Sequence, residues 1–382
     1  MSVWDLREDR SPVRILQEPA SDAVYSPLGL RIVSAAKLPS SGVRLRSSSG
    51  TREETLFESR QDGMKFMISP DGEHIVIYVY DLSRKNNEWH LYMKSLGSNS
   101  APIEMGGYEL GSGQDSRPTA FEFSPDGARF FVGFSGGELW SWPIGALSSP
   151  FPLPGHGGAV YRIFVSDNGR RVYSAGVDKV IHRMDLKSSE LLRYSGHDRT
   201  VRSLVVAPHE DFFVSGSPHD GSVRIWRREA PSIPTPLLPD AEQRKIRSVA
   251  ISASGDEVAL GVDGAIYLLD PRQSSEPRTF PVLANARRLN YSNTGDHLLA
   301  VDEKGSLLRS SSRGEALEEY APLMSGAGQD RVRVLDARVE GGRTDVILSD
   351  GRWLRGVVSG GQFVSSDEAQ LASDRGIERP QS

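Results

Sequence analysis

Apolar and polar residues alternate over short runs along most of the chain. The segment Ser222–Trp226 (SVRIW) and the segment Phe121–Phe123 (FEF) each place their apolar side chains on one face of an extended strand. Gly, Asp, Asn and Pro occupy the positions between such runs, which predicts tight turns. Helical periodicity is scarce. The pattern therefore predicts an all-β chain built from short, half-buried strands.

A unit of such strands recurs about every 40 residues. Each unit contains an apolar strand, a turn close to Ser-Pro-Asp-Gly, a second apolar strand, a turn with Gly or Asp-Gly, and a third strand. The turns are anchored at Ser26, Ser69, Ser124, Ser166, Ala207, Ser252, Ser292 and Asp336. A period in this range, carried by strands, is typical of a β-propeller of four-stranded antiparallel blades. Eight anchors favour eight blades, with seven as the alternative.

The units divide nearly the whole chain into blades of strands a to d. They cover 22–59, 63–106, 118–155, 158–196, 200–240, 246–283, 286–323 and 330–365. We therefore expect one propeller domain over 1–365, followed by a polar, disordered tail at 366–382.

The N-terminal segment looks like part of an additional blade. Ser2–Leu6 and Val13–Gln17 resemble strands c and d of a blade that lacks strands a and b. Such a piece can complete the last blade of a closed ring, yet the last unit has its own third strand at Arg352–Val358. Either the last strands are displaced, or the chain is excised from a longer protein with an upstream propeller.

Composition narrows the function classes. The net charge of −5 gives no case for general nucleic-acid binding. The chain contains no cysteine, which excludes disulfides and thiolate zinc sites. The first residues lack an apolar core, so we expect no secretory signal there, and no 18-residue apolar run predicts a membrane span. The expectation is a cytoplasmic protein that does not act at a membrane.

The best-formed unit resembles the WD-repeat (Trp-Asp repeat) β-propeller family. It contains Gly196-His197, then Phe213–Ser217 (FVSGS), then Asp220–Trp226 (DGSVRIW), and a second Gly-His stands at Gly155-His156. The only literal Trp-Asp is Trp4-Asp5, Arg227 replaces the Asp after Trp226, and the turn before Asp220 is one residue longer than usual. The resemblance spans about 360 residues, mostly through degenerate units.

The resemblance implies that His197, Ser215, Asp220 and Trp226 form a buried, structural hydrogen-bond tetrad. Ser, His and Asp are also the residues of a hydrolase triad, but the turn Asp recurs in other units, and a catalytic triad does not recur around a ring. No H-x-H or H-E-x-x-H spacing occurs. We therefore expect no catalytic residue, no metal and no cofactor.

Basic residues recur near the start of strand a. In a WD-repeat propeller this stretch reaches the mouth of the central channel on the narrower face. Guanidinium groups there would suit carboxylate or phosphate groups of a partner, whereas solvated or ion-paired strand ends are the alternative. The candidate contacts at the channel mouth are Tyr161 and the basic residues Arg162, Arg202, Arg247, Arg287, Arg288 and Arg331.

The interval of 55 residues between two anchors contains longer loops. The extra residues lie in 81–88 and 107–116, which in such a propeller emerge on the same face. Long loops on one face of a repeat array are often its binding surface. The candidate contacts there are Arg84, Lys85, Trp89 and Tyr108.

The function that the resemblance implies is a noncatalytic scaffold. We expect it to bind a protein or peptide, acidic or phosphorylated, at the narrow face and channel mouth, and to bind no nucleic acid. One alternative is a C-terminal sensor module excised from a larger signalling protein. The other is a propeller hydrolase or lactonase. The sequence does not specify the oligomeric state.

Overall fold

The structure is a computed structural model of the 382-residue chain. The residues that it describes are 2–3, 13–14, 20–25, 31–36, 42–47, 53–58, 63–80, 89–98, 100–107, 116–147, 150–227, 235–236, 245–272, 277–281, 285–292, 297–302, 307–310, 317–320, 334–340, 343–348, 353–359 and 362–365. Within these ranges the regular structure is entirely β-strand.

In the described residues, eight four-stranded antiparallel sheets follow one another along the chain, and each pairs its four strands in sequence order. We call them blades one to eight. Blade one contains β3 (Ala20–Tyr25), β4 (Arg31–Ala36), β5 (Gly42–Ser47) and β6 (Glu53–Glu58). Blade two contains β7 (Gly63–Ile68), β8 (His74–Tyr80), β9 (Trp89–Ser95) and β10 (Ile103–Gly107). Blade three contains β11 (Pro118–Phe123), β12 (Arg129–Phe134), β13 (Leu139–Pro143) and β14 (Phe151–Leu153). Blade four contains β15 (Val160–Val165), β16 (Arg171–Gly176), β17 (Val180–Asp185) and β18 (Leu191–Ser195).

The second half of the chain repeats the same arrangement. Blade five contains β19 (Ser203–Val206), β20 (Phe212–Ser217), β21 (Ser222–Arg227) and β22 (Thr235–Pro236). Blade six contains β23 (Ile246–Ile251), β24 (Val258–Val262), β25 (Ala265–Leu269) and β26 (Arg278–Pro281). Blade seven contains β27 (Ala286–Tyr291), β28 (Leu298–Asp302), β29 (Leu307–Ser310) and β30 (Leu317–Tyr320). Blade eight contains β31 (Val334–Glu340), β32 (Arg343–Leu348), β33 (Trp353–Ser359) and β34 (Gln362–Ser365).

A serine closes the first hairpin of most blades. Ser124 illustrates the geometry: its Oγ accepts a hydrogen bond from the backbone N of Arg129 at 2.9 Å, while its own backbone N donates to the carbonyl of Arg129. The third residue after the serine, Gly127, has a φ of 68°, which favours glycine. The same backbone-to-Oγ bond recurs at Ser69, Ser166, Ser252 and Ser292. These contacts explain why the serine recurs with the period of the blades.

The hydrophobic core lies between blades. One cluster joins Val214 and Ile225 of blade five to Leu260 and Tyr267 of blade six. Other clusters join blades two and three, and blades four and five. Each blade buries a face that it cannot bury alone, as expected for stacked repeats.

The innermost strands of consecutive blades contact one another from β11 through β27, and β3 of blade one contacts β31 of blade eight. The predicted all-β propeller architecture of four-stranded antiparallel blades is therefore confirmed. The number of blades in the ring stays a prediction, as does the single-domain boundary at residue 365.

The N-terminal strands pair with each other. β1 (Ser2–Val3) and β2 (Val13–Arg14) form a two-stranded antiparallel sheet, while blade eight carries four strands of its own. The tail at 366–382 lies outside the described residues. In the part of the chain that the structure describes, no helix has the length and apolar character needed to cross a membrane.

Candidate functional site

A β-bulge marks the start of most innermost strands. The register between β15 and β16 shifts between Val160 and Arg162, and the register between β23 and β24 shifts between Ile246 and Ser248. The bulged residues are therefore Tyr161 and Arg247. Bulges redirect side chains and often lie next to functional sites. Corresponding shifts occur in blades one, three, seven and eight.

In blades four to seven the residue before each predicted channel-mouth residue is buried, so the next side chain along the strand points away from the core. Val160, Val201, Ile246 and Ala286 are at most 2% exposed. Each is followed by a residue that was predicted to reach the channel mouth. These residues are Tyr161, Arg202, Arg247 and Arg287.

A cavity of about 510 Å³ opens where blades three to six bring these strand starts together. Its lining residues are Thr119, Tyr161, Arg162, Arg202, Ser203, Pro218, His219, Lys245, Ile246 and Arg247. Four of them carry a positive charge at neutral pH, and none of these lining residues carries a carboxylate. The cavity is therefore suited to a negatively charged group.

Contacts inside the cavity hold the cationic groups in place. The guanidinium carbon of Arg202 lies 4.3 Å from the centre of the Tyr161 ring, a cation–π contact between neighbouring blades. Arg162 donates from Nη1 to the carbonyl of Tyr161 at 3.3 Å. Arg247 donates from Nε to the Asp263 carboxylate at 3.0 Å, so a ligand at Arg247 would share it with Asp263.

Glu122 faces the same group of charges from β11. Burial raises the pKa of the Glu122 carboxyl to about 8, although the charge of Arg162 acts in the opposite direction. Burial and the nearby charge of Arg202 lower the pKa of Arg162, which Glu122 in turn raises. At pH 7 the Glu122 carboxyl is mostly neutral, so it offsets little of the positive charge at the cavity.

The predicted contact residues other than Trp89 divide into three groups. The cavity is lined by Tyr161, Arg162, Arg202 and Arg247. Arg287 and Arg288 are exposed at the start of β27 and do not line the cavity. Arg331, Arg84, Lys85 and Tyr108 lie outside the described residues.

The prediction for Trp89 is wrong. This side chain is 1% exposed, and its indole Nε1 donates a hydrogen bond to the carbonyl of Ser116 at 2.8 Å. It packs near the Tyr78 and Phe134 rings between blades two and three. Trp89 is therefore a core residue and offers no surface to a partner.

Six lining residues were not predicted from the sequence, among them Lys245 and His219. Lys245 directly precedes the buried start of β23 and stands two positions before Arg247, which was predicted. His219 lies in the turn between β20 and β21 that is one residue longer than usual. The extra residue in this turn was the feature of the sequence that could have pointed to His219.

Blade five contains a continuous hydrogen-bond chain through the four predicted tetrad residues. Trp226 Nε1 donates to Ser215 Oγ at 2.7 Å, and Ser215 Oγ lies 2.7 Å from His197 Nε2. His197 Nδ1 lies 3.0 Å from the Asp220 carboxylate. Because the charged Asp220 carboxylate can only accept, His197 donates from Nδ1 to Asp220, and the Nε2 of a neutral imidazole then accepts from the serine hydroxyl.

The environment of Asp220 stabilises its charged form. Burial acts to raise the pKa of the Asp220 carboxyl, but hydrogen bonds from His197 and Ser222 outweigh it and hold the pKa well below its usual range. The carboxylate also accepts from the backbone N of Asp198 at 3.0 Å, which ties the loop between blades four and five to the turn. This network fastens two loops and presents no hydroxyl to the solvent, since Ser215 is fully buried.

Blade four contains a related but different cluster. His156 Nδ1 lies 2.9 Å from the Asp178 carboxylate, and His156 Nε2 lies 2.8 Å from Ser174 Oγ. Register places Met184 where blade five has Trp226, so no indole donates to Ser174. A second histidine, His182, stacks on the His156 ring with 4.0 Å between centroids.

Electrostatics in this cluster keep Asp178 charged and His182 neutral. Burial acts to raise the pKa of the Asp178 carboxyl, but the hydrogen bond from His156 and the backbone donors outweigh it and lower the pKa. Burial, aided by the charge of His156, lowers the pKa of His182 to about 4. One ring nitrogen of each histidine and one oxygen of Asp178 lie within 4.8 Å of one another.

Comparison with known proteins places blades four and five in a defined family. Residues 148–182 and 188–227 match the family model described as "WD domain, G-beta repeat". The chain is 27% identical over 143 residues to Protein Rae1 of Drosophila melanogaster, which covers 36% of this chain and 41% of that protein.

Two further relatives are 33% identical to the chain. Autophagy-related protein 16 of Arabidopsis thaliana matches over 117 residues, which are 29% of this chain and 23% of that protein. DDB1- and CUL4-associated factor 5 of Homo sapiens matches over 121 residues, which are 29% of this chain and 13% of that protein. The matched segment thus spans less than half of each relative.

Proposed function

We propose that the chain, whose residues 148–182 and 188–227 match WD repeats, is a noncatalytic scaffold that binds an acidic or phosphorylated protein segment at the cavity formed by blades three to six. The observation that carries this proposal is the lining of that cavity. Arg162, Arg202, Lys245 and Arg247 contribute four cations, and none of the cavity's lining residues supplies a carboxylate.

The geometry favours a carboxylate or phosphate over a neutral ligand. Guanidinium groups bind such groups through paired hydrogen bonds, and these charge-assisted bonds are stronger than neutral ones. Arg202 is already oriented by the ring of Tyr161, so less side-chain entropy is lost on binding. Tyr161 itself offers a partly buried aromatic surface of the kind that is enriched at interfaces.

The relatives agree with a scaffold role. The human relative is named for its association with DDB1 and CUL4. For this chain, a protein partner is part of the proposal, and the identity of that partner is left to experiment.

A charge-reversed pair of residues tests the proposal. Arg202→Glu with Lys245→Glu reverses two exposed cations of the cavity. It leaves Arg247 bonded to Asp263 and Arg162 close to Glu122. The control pair, Lys187→Glu with Arg227→Glu, makes the same charge change at exposed positions near the ends of β17 and β21. Because strands alternate in direction, these positions lie at the opposite end of the blades from the start of strand a.

Quantitative pull-down from the source lysate gives the readout. We expect wild type and the control pair to retain the same proteins, and the cavity pair to lose some of them by at least about tenfold. Identical proteins retained by all three, after circular dichroism confirms that each folds, would contradict the proposal.

A further inference from the structure

A groove of about 410 Å³ lies between the outer strands of blades one and two. Blade one supplies its outermost strand, β6, and blade two supplies β9 and the residue that precedes β10. The volume falls within the range of about 300–1,000 Å³ that is usual for ligand sites. The lining residues are Thr55, Leu56, Phe57, Glu58, Tyr92 and Pro102. None of them lines the cavity formed by blades three to six, so the two sites are separate.

A β-bulge shapes the wall that blade one contributes. The register of β5 against β6 shifts so that Leu56 falls between two paired residues and has no cross-strand partner of its own. Leu56 is 3% exposed, whereas Thr55 and Glu58 are exposed and Phe57 is half-buried. In a regular strand, successive side chains point to opposite faces, and a bulge interrupts this alternation. Four consecutive residues of β6 therefore line one groove.

Two aromatic rings lie side by side in the groove. The ring centroids of Phe57 and Tyr92 are 4.8 Å apart, with 41° between the planes. On its other flank the Tyr92 ring stacks on His90, with 6.0 Å between centroids. Phe57 and Tyr92 pack against the hydrophobic core but are only half-buried, so each leaves part of its surface exposed. Such aromatic surface attracts both aliphatic groups and cations.

Carboxylates border these rings. Glu58 is exposed and lines the groove, and register places Glu104 directly opposite Tyr92 on the neighbouring strand. Burial, aided by the charge of Glu104, raises the pKa of the Tyr92 hydroxyl, so the Glu104 carboxylate acts on this ring. Glu104 Oε1 lies 2.7 Å from His90 Nδ1, yet the Glu104 side chain remains 50% exposed. The groove thus combines an aromatic surface with negative charge.

A cation of the same strand is occupied elsewhere. Lys94 follows Tyr92 by two residues on β9 and is 5% exposed. Its Nζ donates to the carbonyls of Ser98 and Ser100 at 3.3 Å and 2.8 Å, and it lies 3.4 Å from the Glu54 carboxylate. Lys94 is therefore held by these groups, and none of the residues that line the groove carries a positive charge.

We propose that this groove binds an arginine side chain of a partner protein, with its aliphatic stem against Phe57 and Tyr92 and its guanidinium group directed to Glu58 and Glu104. Charge complementarity carries the choice of occupant, because a wholly apolar side chain would bring no hydrogen-bond donor to the carboxylates. Arginine fits better than lysine, since a planar guanidinium group stacks on aromatic rings and forms paired hydrogen bonds with carboxylates.

Binding of defined peptides to the purified full chain tests the proposal. The probes are degenerate heptapeptides with blocked termini and an uncharged dye, and their central residue is Arg, Lys or citrulline. Citrulline has nearly the shape of arginine without its charge. The flanking positions exclude charged residues, so that the cavity formed by blades three to six is not engaged. By fluorescence anisotropy we expect wild type to bind the Arg set at least about fivefold more tightly than the citrulline set.

Two pairs of substitutions locate the binding. Glu58→Gln with Glu104→Gln removes two charges from the groove, and we expect the preference for Arg over citrulline to disappear. Glu73→Gln with Glu190→Gln makes the same charge change at exposed positions that do not line the groove, and it should keep the preference. These four side chains are exposed, so folding is expected to persist, which circular dichroism checks.

A third variant tests the role of the ring. Tyr92→Leu keeps an apolar surface and removes the aromatic face, so we expect the preference for Arg over Lys to fall by at least about threefold. Equal binding of Arg and citrulline peptides by wild type would rule the site out without reference to any variant. An equal loss in both glutamate pairs would assign the preference to the overall negative charge. An unchanged preference in the Glu58 and Glu104 pair would place the binding elsewhere on the chain.

Discussion

Two tryptophans occupy the same register position in different blades but differ in their hydrogen bonds. Trp226 pairs with Phe213 in blade five, and Trp142 pairs with Phe130 in blade three. Both are at most 2% exposed. Trp226 Nε1 donates to Ser215, whereas Trp142 Nε1 has no partner among the described residues, because register puts Val132 where blade five has Ser215.

This pair of residues isolates the contribution of the tetrad. Trp226→Phe removes the indole donor and leaves Ser215 Oγ with one bond fewer, whereas Trp142→Phe removes packing and an indole N–H that has no partner among the described residues. We expect both variants to lower the free energy of unfolding, and Trp226→Phe to lower it by about 1 kcal/mol more. Guanidinium unfolding of the two variants measures the difference. Equal losses would show that the tetrad hydrogen bond adds nothing to stability.

Individual residues also show what sequence could and could not predict. The turn serines were recognisable because each binds backbone within its own hairpin, so the contact is local in sequence. Trp89 was misassigned because its partner, the carbonyl of Ser116, belongs to the approach to the next blade. The stacking of His182 on His156 was also out of reach, since it depends on which residues face one another across paired strands.

At the scale of the element, the first hairpin of blade five departs from the repeat. Ala207 stands at the serine position, and Glu210 stands where the other turns have glycine, with a φ of 54°. Glu210 is 6% exposed and accepts hydrogen bonds from Arg171 Nη1 at 2.9 Å and from the Tyr173 hydroxyl at 3.1 Å. The hairpin therefore carries backbone strain and is held by contacts to blade four.

Substitutions at Glu210 separate strain from contact. Glu210→Gly and Glu210→Ala both remove the carboxylate from the buried Arg171, and each is expected to lower the free energy of unfolding by on the order of 3 kcal/mol. Glycine tolerates the positive φ, so we expect Glu210→Gly to be more stable than Glu210→Ala by about 1 kcal/mol. Urea unfolding of both variants gives the order. The reverse order would mean that the turn is unstrained or rearranges.

The starts of the innermost strands are a second feature at the scale of the element. Alternation predicted where each innermost strand begins, and the resemblance to WD repeats directed attention to its second residue. The bulge that redirects this residue could not be read from the sequence, because it depends on the register against strand b. Predicting the cavity would have required the strand register of four blades at once. The sequence therefore predicted four of the ten lining residues and missed the other six, which include Lys245 and His219.

For the whole molecule, the charge at the cavity depends on pH through Glu122. Its carboxyl has a pKa raised to about 8, so it is mostly neutral at pH 7 and becomes charged as the pH rises through 8. The new negative charge lies close to Arg162, which itself is affected by the charge of Arg202. The positive charge available to an acidic ligand therefore falls over this range.

We expect binding of an acidic peptide to weaken between pH 7 and pH 9 in wild type. Glu122→Gln stays neutral throughout and should bind with nearly constant affinity over the same range. Fluorescence anisotropy at fixed ionic strength measures both. A wild-type affinity that does not change with pH, or an equal change in Glu122→Gln, would exclude Glu122 as the cause.

The proposal that the cavity formed by blades three to six binds an acidic group is tested most directly by binding to peptide libraries of known charge. Degenerate peptides with one fixed Glu, phosphoserine or Lys would be bound to wild type, to the Arg202→Glu and Lys245→Glu pair, and to the Lys187→Glu and Arg227→Glu pair. The account predicts that wild type and the Lys187/Arg227 pair prefer the Glu or phosphoserine library, and that added salt weakens this binding. It predicts that the Arg202/Lys245 pair loses the preference. No preference in wild type, or the same preference in all three proteins, would contradict it.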